Sequence, residues 1–111
     1  MVSRPATVAR GEIWLATLDP TVGSEIQKTR PCVIISPAEM YDLRTVIVAP
    51  MTTGSHEAPY RINLRFRRKN GLILLDQLRT LDKLRLVRRL GVIDAMTLRL
   101  ISATLREMFE E

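Results

Sequence analysis

Cysteine and histidine are almost absent from this chain of 111 residues, which has one of each, Cys32 and His56. A single cysteine excludes an internal disulfide and a cysteine-rich metal site. No His, Cys, Asp or Glu residues have the spacing of a zinc or calcium site, and neither a P-loop nor a dinucleotide-binding glycine pattern occurs. We therefore expect neither a metal nor a cofactor. Cys32 is expected to be buried, and His56, in a Gly/Ser/Pro-rich segment, to be a solvated loop residue.

Long apolar runs are also missing. The longest has only a few residues, far short of the roughly 20 needed to span a bilayer. Residues 1–10 lack a hydrophobic segment of signal-peptide length. We therefore expect a cytoplasmic protein with no membrane partner. The length predicts a single domain over residues 1–111.

Positive charge is abundant. The formal net charge is +5, and 14 of the 17 basic residues are arginine. A guanidinium group presents several donors to phosphate or carboxylate oxygens, so this balance favours an anionic partner. An ordinary surface in an arginine-rich proteome explains the same composition. Basic charge gives affinity for nucleic acid without defining a function.

Short β-forming segments alternate with turn signals along most of the chain. They predict strands over residues 11–18, 31–36, 45–49, 60–64, 71–75 and 84–90. Asn70-Gly71 predicts a hairpin turn, and Pro50 is expected to end the third strand. Residues 77–83 are compatible with a strand edge or a turn.

One helix is predicted at the C-terminal end. Asp94 can cap it, and Leu98, Ile101, Leu105 and Met108 follow at helical spacing on one face. Six or seven short strands with one helix predict a mainly β (α+β) fold, a small and strongly curved sheet or open barrel that the helix closes.

The strongest chemical indication lies in residues 23–31, Gly-Ser-Glu-Ile-Gln-Lys-Thr-Arg-Pro, which lead directly into the apolar run 32–35. Pro31 has a fixed φ and suits the first residue of a strand. Arg30 is therefore held at the mouth of a buried strand, where its permanent charge and planar donors match phosphate oxygens. This arrangement points to phosphodiester chemistry.

Polar side chains follow other predicted strands as well. Thr52 and Asp76 each come after an apolar segment, as Arg30 comes before one. A rigid scaffold can hold chemistry at such a rim. Each residue also has a purely structural explanation: Arg30 could pair with Glu25, Thr52 could end its strand, and Asp76 could cap a turn.

Several blocks of residues occur in the order typical of one family. They are Arg10-Gly11-Glu12-Ile13-Trp14, Leu18-Asp19-Pro20, Gly23-Ser24-Glu25, Lys28-Thr29-Arg30-Pro31, Val48-Ala49-Pro50-Met51-Thr52-Thr53, Leu75-Asp76-Gln77-Leu78-Arg79-Thr80-Leu81-Asp82-Lys83, Arg85-Leu86 and Leu90-Gly91. Over residues 9–109 the sequence resembles the MazF/PemK family of type II toxin endoribonucleases.

The resemblance implies a small SH3-like, CcdB-like β-barrel with a C-terminal α-helix, and a homodimer whose groove binds single-stranded RNA. It implies metal-free, sequence-specific cleavage of mRNA that leaves a 2′,3′-cyclic phosphate and a 5′-hydroxyl, and so inhibits translation and growth. The expected protein partner is a cognate antitoxin with an acidic, flexible tail.

The resemblance makes Arg30 and Thr52 the catalytic residues. Some members also use an aspartate at the position of Asp76, with an arginine two residues earlier and a histidine in the Gly-x-Glu loop. Here those positions are Leu74 and Ser24, which favours the Arg30/Thr52 arrangement. Arginine is a poor base, so Glu25, Asp76 or water would accept the proton. RNA contacts are expected from polar residues inside the matching blocks, which are Ser24, Lys28, Thr53, Gln77 and Arg79.

The basic run over residues 61–69 has two interpretations. We favour a solvated hairpin tip whose charge discourages edge-to-edge pairing, with partial guidance of RNA. For the whole chain, two other functions compete with RNA cleavage. One is a non-catalytic toxin of the same barrel that binds DNA gyrase through the C-terminal helix. The other is a non-enzymatic barrel that binds RNA or peptide.

Overall fold

The structure, a computed structural model, describes residues 7–111, in which seven strands precede one α-helix. The strands are β1 (Glu12–Thr17), β2 (Thr29–Ile34), β3 (Thr45–Thr52), β4 (Arg61–Phe66), β5 (Lys69–Leu74), β6 (Arg79–Asp82) and β7 (Leu86–Val92), and the helix is α1 (Ala95–Phe109). Three short 3₁₀ turns lie at Ala38–Met40, Leu75–Gln77 and Lys83–Arg85. The sequence prediction for residues 1–10, that they contain no signal-peptide segment, rests partly on residues 1–6, which lie outside the described part of the structure.

All seven strands belong to one antiparallel sheet with the order β4-β5-β3-β2-β1-β7, and β6 pairs with β3 outside that path. Strand β3 is central because it pairs with three others. It contacts β6 over residues 45–48, β2 over residues 48–50 and β5 over residues 51–52. This half-barrel with a C-terminal helix confirms the predicted fold class.

Two buried apolar clusters fill the core. In β1 and β2, neighbouring residues go to different clusters: Trp14 and Cys32 belong to one, Ile13 and Val33 to the other. Because side chains alternate along a strand, these two central strands are buried on both faces. The prediction of a buried Cys32 is confirmed.

Helix α1 covers one of these clusters. Asp94 caps it, since its Oδ1 accepts a hydrogen bond from the Thr97 N–H at 2.6 Å. Hydrogen bonds from Thr97 to this carboxylate hold the pKa of Asp94 below its ordinary value. Ile101 is fully buried in the cluster, and Leu98 and Leu105 pack against it. The predicted cap and apolar face are confirmed. Among the described residues no helix combines the length and apolar character needed to cross a lipid bilayer.

The predicted hairpin turn at Asn70-Gly71 is wrong. Strand β4 pairs with β5 up to Phe66↔Lys69, so the two-residue turn consists of Arg67 and Arg68, with φ of 51° and 65°. Positive φ at both positions is typical of a type I′ hairpin turn. Gly71 lies inside β5 instead, where it approaches the Thr52 backbone too closely for a side chain.

The predicted end of the third strand at Pro50 is also wrong. β3 continues through Pro50 to Thr52, although the β2–β3 pairing stops at Cys32↔Pro50. A proline is tolerated where a ladder ends, since its missing N–H has no bond to make there. Beyond that point β5 takes over as the partner of β3. The undecided segment 77–83 contains strand β6.

Candidate active site

Arg30 and Thr52 each lie two residues beyond the last pair between β2 and β3. That pair is Cys32↔Pro50, after which β3 pairs with β5 instead. Both residues are half-buried and line the same groove, whose volume is about 460 Å³. The sheet therefore brings the two predicted catalytic residues together at one rim.

This groove has a basic rim and an apolar floor. The rim is formed by Arg30, Arg67, Lys69 and Arg88, and no carboxylate occurs among the described residues that line it. The floor consists of Leu15, Pro31, Met51, Leu64, Phe66 and Leu90, and Thr52 and Thr53 add hydroxyl groups. We call it the basic groove. With these four cations and no carboxylate in the described lining, the groove carries a positive potential that attracts anions.

Arg30 is fixed by the loop that precedes it. Its Nε donates to the Gln27 carbonyl at 3.2 Å, which anchors the guanidinium near its base and leaves the terminal nitrogens for a ligand. The alternative of an Arg30–Glu25 ion pair is not observed among the described residues. The Glu25 carboxylate accepts instead from the Val22 N–H and closes its own loop.

Thr52 is oriented by the backbone that follows it. Its Oγ1 accepts a hydrogen bond from the Gly54 N–H at 3.2 Å. Since a hydroxyl has one proton and two lone pairs, this bond leaves the O–H free to donate. The hydroxyl is thus prepared to act as a hydrogen-bond donor in the basic groove.

Five of the other predicted residues line a second groove of about 620 Å³, which we call the polar groove. Its lining includes Ser24, Glu25, Asp76, Gln77 and Arg79. Pro50 lines the polar groove, whereas the next two residues of β3 line the basic groove. The end of β3 therefore separates the two. Lys28 is exposed with φ of 72° and lines neither.

Gln77 and Arg79 hold the loop between β1 and β2. Gln77 accepts from the Ile26 N–H at 2.8 Å and donates to the Ser24 carbonyl at 3.5 Å, while Arg79 donates to the Leu18 carbonyl at 3.1 Å. These side chains are therefore already bonded to protein groups. Their effect on a bound ligand acts mainly through the position of this loop.

Asp76 is paired rather than free. Its two oxygens accept from Arg61 Nε at 3.0 Å and from Nη2 at 2.9 Å. The alternative role of Asp76 as a turn cap is not observed, since its 3₁₀ turn has no side-chain cap. The hydrogen bond with Asp76 raises the pKa of Arg61 above its already high ordinary value. The Arg61 guanidinium therefore remains charged.

The sequence interpretation missed the contribution of the β4–β5 hairpin. Arg67 and Lys69 line the basic groove, and Arg67 Nη2 donates to the Leu90 carbonyl of β7 at 2.9 Å. Both residues are exposed at the hairpin tip, as the favoured interpretation expected, and they also face the groove. Arg61, at the start of β4, does not belong to the tip. Only the excess of basic residues signalled this role.

His56 is exposed in the loop that follows β3, as expected, and its carbonyl accepts from Arg61 Nη1 at 3.0 Å. In the described chain, residues 7–111, no three His, Cys, Asp or Glu side chains converge closely enough to hold a metal ion.

Fold and groove together define a small half-barrel with an anion-binding cleft beside an arginine and a threonine. A family model described as a PemK-like, MazF-like toxin of type II toxin–antitoxin systems matches residues 9–109. The chain belongs to this toxin family, which confirms the predicted membership.

A relative of known name agrees with this assignment. Endoribonuclease PemK from Escherichia coli is 40% identical over 88 residues, which cover 74% of this chain and 66% of the relative. The chain thus spans about two thirds of that relative's length.

Solved structures agree at the level of fold. The crystal structure of MazF (Form-I) from Deinococcus radiodurans matches with a TM-score of 0.81 at 22% identity, covering 95% of this chain and 98% of that one. An endoribonuclease in complex with its cognate antitoxin from Mycobacterial species matches with a TM-score of 0.74 at 20% identity, covering 90% and 92%.

Proposed function

We propose that this chain is a toxin endoribonuclease that cleaves single-stranded RNA in the basic groove, with Arg30 and Thr52 as the catalytic residues. The observation that carries the proposal is that both residues line one groove, which has four cations and, in the described chain, no lining carboxylate. The name of the Escherichia coli relative supports the reaction class. The substrate in the cell is mRNA, and its cleavage inhibits translation and growth.

The chemistry follows from the charge that develops at the scissile phosphate. Attack by the RNA's own 2′-hydroxyl forms a phosphorane with additional negative charge on its non-bridging oxygens. The free nitrogens of Arg30 and the hydroxyl of Thr52 donate hydrogen bonds to these oxygens and stabilise the transition state. The P–O5′ bond then breaks and the leaving oxygen takes up a proton from water, which leaves a 2′,3′-cyclic phosphate and a 5′-hydroxyl.

Proton removal is assigned to water. Arginine remains protonated and cannot act as a base. Asp76 is bound to Arg61, and Glu25 and Asp76 both line the polar groove rather than the basic one. In this scheme the groove accelerates the reaction mainly by in-line positioning and charge stabilisation, which together supply large rate factors.

Sequence preference is assigned to hydrogen bonds at splayed bases. Phe66 is the one aromatic side chain in the lining of the basic groove, so stacking contributes at a single position. Ser24, Lys28 and Thr53 offer polar atoms along the exposed loops, and Gln77 and Arg79 hold the loop that carries two of these residues. Such groups can read Watson–Crick edges of unpaired bases.

We propose two protein partners, a second copy of this chain and a cognate antitoxin. The antitoxin complex of a structural neighbour supports the second. An acidic, flexible tail would compete with RNA for the basic groove. Met96 and Leu100, exposed one turn apart on α1, supply apolar surface for an interface. We place the protein in the cytoplasm as a single domain over residues 1–111.

The test is cleavage of a 5′-labelled single-stranded RNA in the presence of EDTA, with circular dichroism to establish folding. Arg30→Ala and Thr52→Val should each lose about 10²–10³ in rate, as expected for one lost donor. Thr52→Ser should retain most of the activity. Arg65→Ala is the matched control, because it removes one charge from an exposed residue outside both grooves.

Two results would contradict the proposal. Folded Arg30→Ala and Thr52→Val variants that cut at the wild-type rate would remove both residues from the reaction. Wild-type protein that never cuts RNA would favour the binding functions, of which the gyrase alternative is tested by inhibition of DNA supercoiling.

A further inference from the structure

We propose that Arg61 is a positioning residue that clamps the loop following Thr52 against Asp76, and that RNA cleavage depends on this clamp. The loop in question is residues 53–60, between β3 and β4. The dependence on cleavage rests on the proposed function, whereas the clamp itself can be tested without it.

The clamp consists of three hydrogen bonds from one guanidinium. Nε and Nη2 bind the two oxygens of Asp76, at 3.0 and 2.9 Å, and Nη1 donates to the His56 carbonyl at 3.0 Å. The planar fork of arginine fits this combination of a bidentate carboxylate and one carbonyl, which a lysine cannot reproduce. The Arg61 side chain is 16% exposed, whereas that of Asp76 is 36% exposed.

The loop has few other attachments. It leaves β3 at Thr52, and Tyr60 immediately before β4 has a φ of 65°, which is unfavourable for a residue other than glycine. The Tyr60 carbonyl accepts from the Leu75 N–H at 3.2 Å, beside the Asp76 turn. The bonds of Arg61 hold this strained corner and the middle of the loop to the same turn.

The loop determines the geometry at the cleavage site. Thr53 lines the basic groove, and the Gly54 N–H orients the Thr52 hydroxyl. Both residues belong to the segment that Arg61 fastens. Arg61 itself lines neither groove, so its effect reaches the substrate through these neighbours.

Charge supplies a second reason for the pairing. Asp76 lines the polar groove, beside the proposed RNA path. An unpaired carboxylate there would repel phosphates, whereas the ion pair with Arg61 neutralises it locally. Removing Arg61 therefore loosens the loop and also exposes a negative charge.

The decisive variant is Arg61→Met, which keeps an apolar stem and removes the donors. Arg65→Met is the matched control. Arg65 lies four residues further along β4, on the same side of the strand, and its Nη1 bonds only to the exposed Asn70 side chain at 3.2 Å. Both variants lose one positive charge, so any difference between them reports the loss of the specific bonds of Arg61, including the pairing with Asp76, rather than general attraction for RNA.

Amide hydrogen exchange over residues 53–60 tests the clamp on the protein alone. We expect faster exchange in Arg61→Met than in Arg65→Met or the wild type, with unchanged exchange in β2. For cleavage, we expect kcat to fall by as much as about 10²-fold, the scale of a misplacement near 1 Å, with a much smaller change in KM. Arg61→Met/Asp76→Asn should be no slower than the slower single variant, because both changes break one unit.

Equal loop exchange and equal kcat in Arg61→Met and Arg65→Met would overturn the inference. If Arg61→Met fails to fold, Arg61→Lys replaces it, and the same comparison with Arg65→Lys decides. Wild-type protein that does not cut RNA would reject the proposed function and the dependence on cleavage. The exchange result would still decide whether the clamp exists.

Discussion

Gly71 lies directly against the backbone of Thr52. A Cβ atom built on Gly71 would stand 2.9 Å from the Thr52 carbonyl oxygen and 3.6 Å from Cγ2 of Thr53. Real Cβ atoms essentially never approach a backbone oxygen so closely. A glycine in β5 therefore allows the end of β3, with its threonine pair, to occupy its present position.

Gly71→Ala should consequently impair cleavage through Thr52. We expect β3 to move away from β5 and the rate to fall by up to about 10²-fold, as for small misplacements of a catalytic group. Single-turnover cleavage under saturating enzyme measures this. In a Thr52→Val background the same substitution should add little, because the group that it displaces is already gone.

Gly91→Ala is the control for adding a methyl group to a strand. Its Cβ would meet only the Phe66 ring, at 3.3 Å, and a side chain can yield more easily than backbone. Its effect on the rate should be much smaller. Equal losses in both variants would show that the position of Thr52 is not the cause.

The basic rim predicts strongly salt-dependent RNA binding. Lys69 and Arg88 line the groove, so each alanine variant should reduce the slope of log affinity against log salt by about 0.7 for a single strand, if each contacts one phosphate. Titration of a fluorescent RNA into cleavage-deficient Thr52→Val protein at several salt concentrations measures the slope. An unchanged slope in Lys69→Ala would place the RNA elsewhere.

The free energy of unfolding should decrease at alkaline pH because of Cys32. Burial raises the pKa of its thiol to about 12, an effect that the charge of Arg79 partly offsets. Since the folded state disfavours the thiolate, this contribution to stability is complete below pH 9 and declines as the pH rises toward 12, by at most about 1.4 kcal/mol per pH unit.

Urea unfolding at pH 8, 9 and 10 measures this dependence. Relative to Cys32→Ala, the wild type should lose more unfolding free energy between pH 9 and 10 than between pH 8 and 9. Folded protein should also resist thiol reagents at pH 8. Rapid labelling without unfolding would contradict the burial of this side chain.

The packing of α1 should contribute substantially to stability. Ile101 is 1% exposed within the cluster that the helix covers, so Ile101→Ala should cost about 2–5 kcal/mol. Its neighbour Leu100 is 52% exposed, and Leu100→Ala should change the unfolding free energy of the monomer by about 0.5 kcal/mol or less. Denaturant unfolding of both variants checks this contrast.

Local patterns were sufficient to predict most of the fold. The capping carboxylate of Asp94 and the apolar face through Ile101 are properties of one segment, and they identify α1 correctly. The position of the hairpin turn was predicted wrongly because Asn70-Gly71 has the most favourable local sequence for a turn. Gly71 is instead required by a contact with Thr52, which is distant in sequence.

Only part of the site could be predicted, because some of its contacts also join residues that are distant in sequence. Arg30 and Thr52 come together because Arg30 lies near the start of β2, Thr52 ends β3, and these two strands pair. The order of segments along the chain already suggests this relation. The partner of Asp76 is Arg61, fifteen residues earlier and across a strand pair from Leu74. No spacing rule along the chain indicates such a cross-strand ion pair, and the sequence placed Arg61 in a solvated run.

The two arginines at the β4–β5 turn have a consequence for the evolution of this toxin. Left-handed backbone at a residue other than glycine costs on the order of 1 kcal/mol or more, and Arg67 and Arg68 both adopt it. Asparagine and glycine at these positions would relieve the backbone strain and stabilise the protein. They would also remove the Arg67 guanidinium, which donates to a carbonyl of β7. Backbone strain therefore favours replacement at both positions, whereas the contact with β7 favours arginine at position 67.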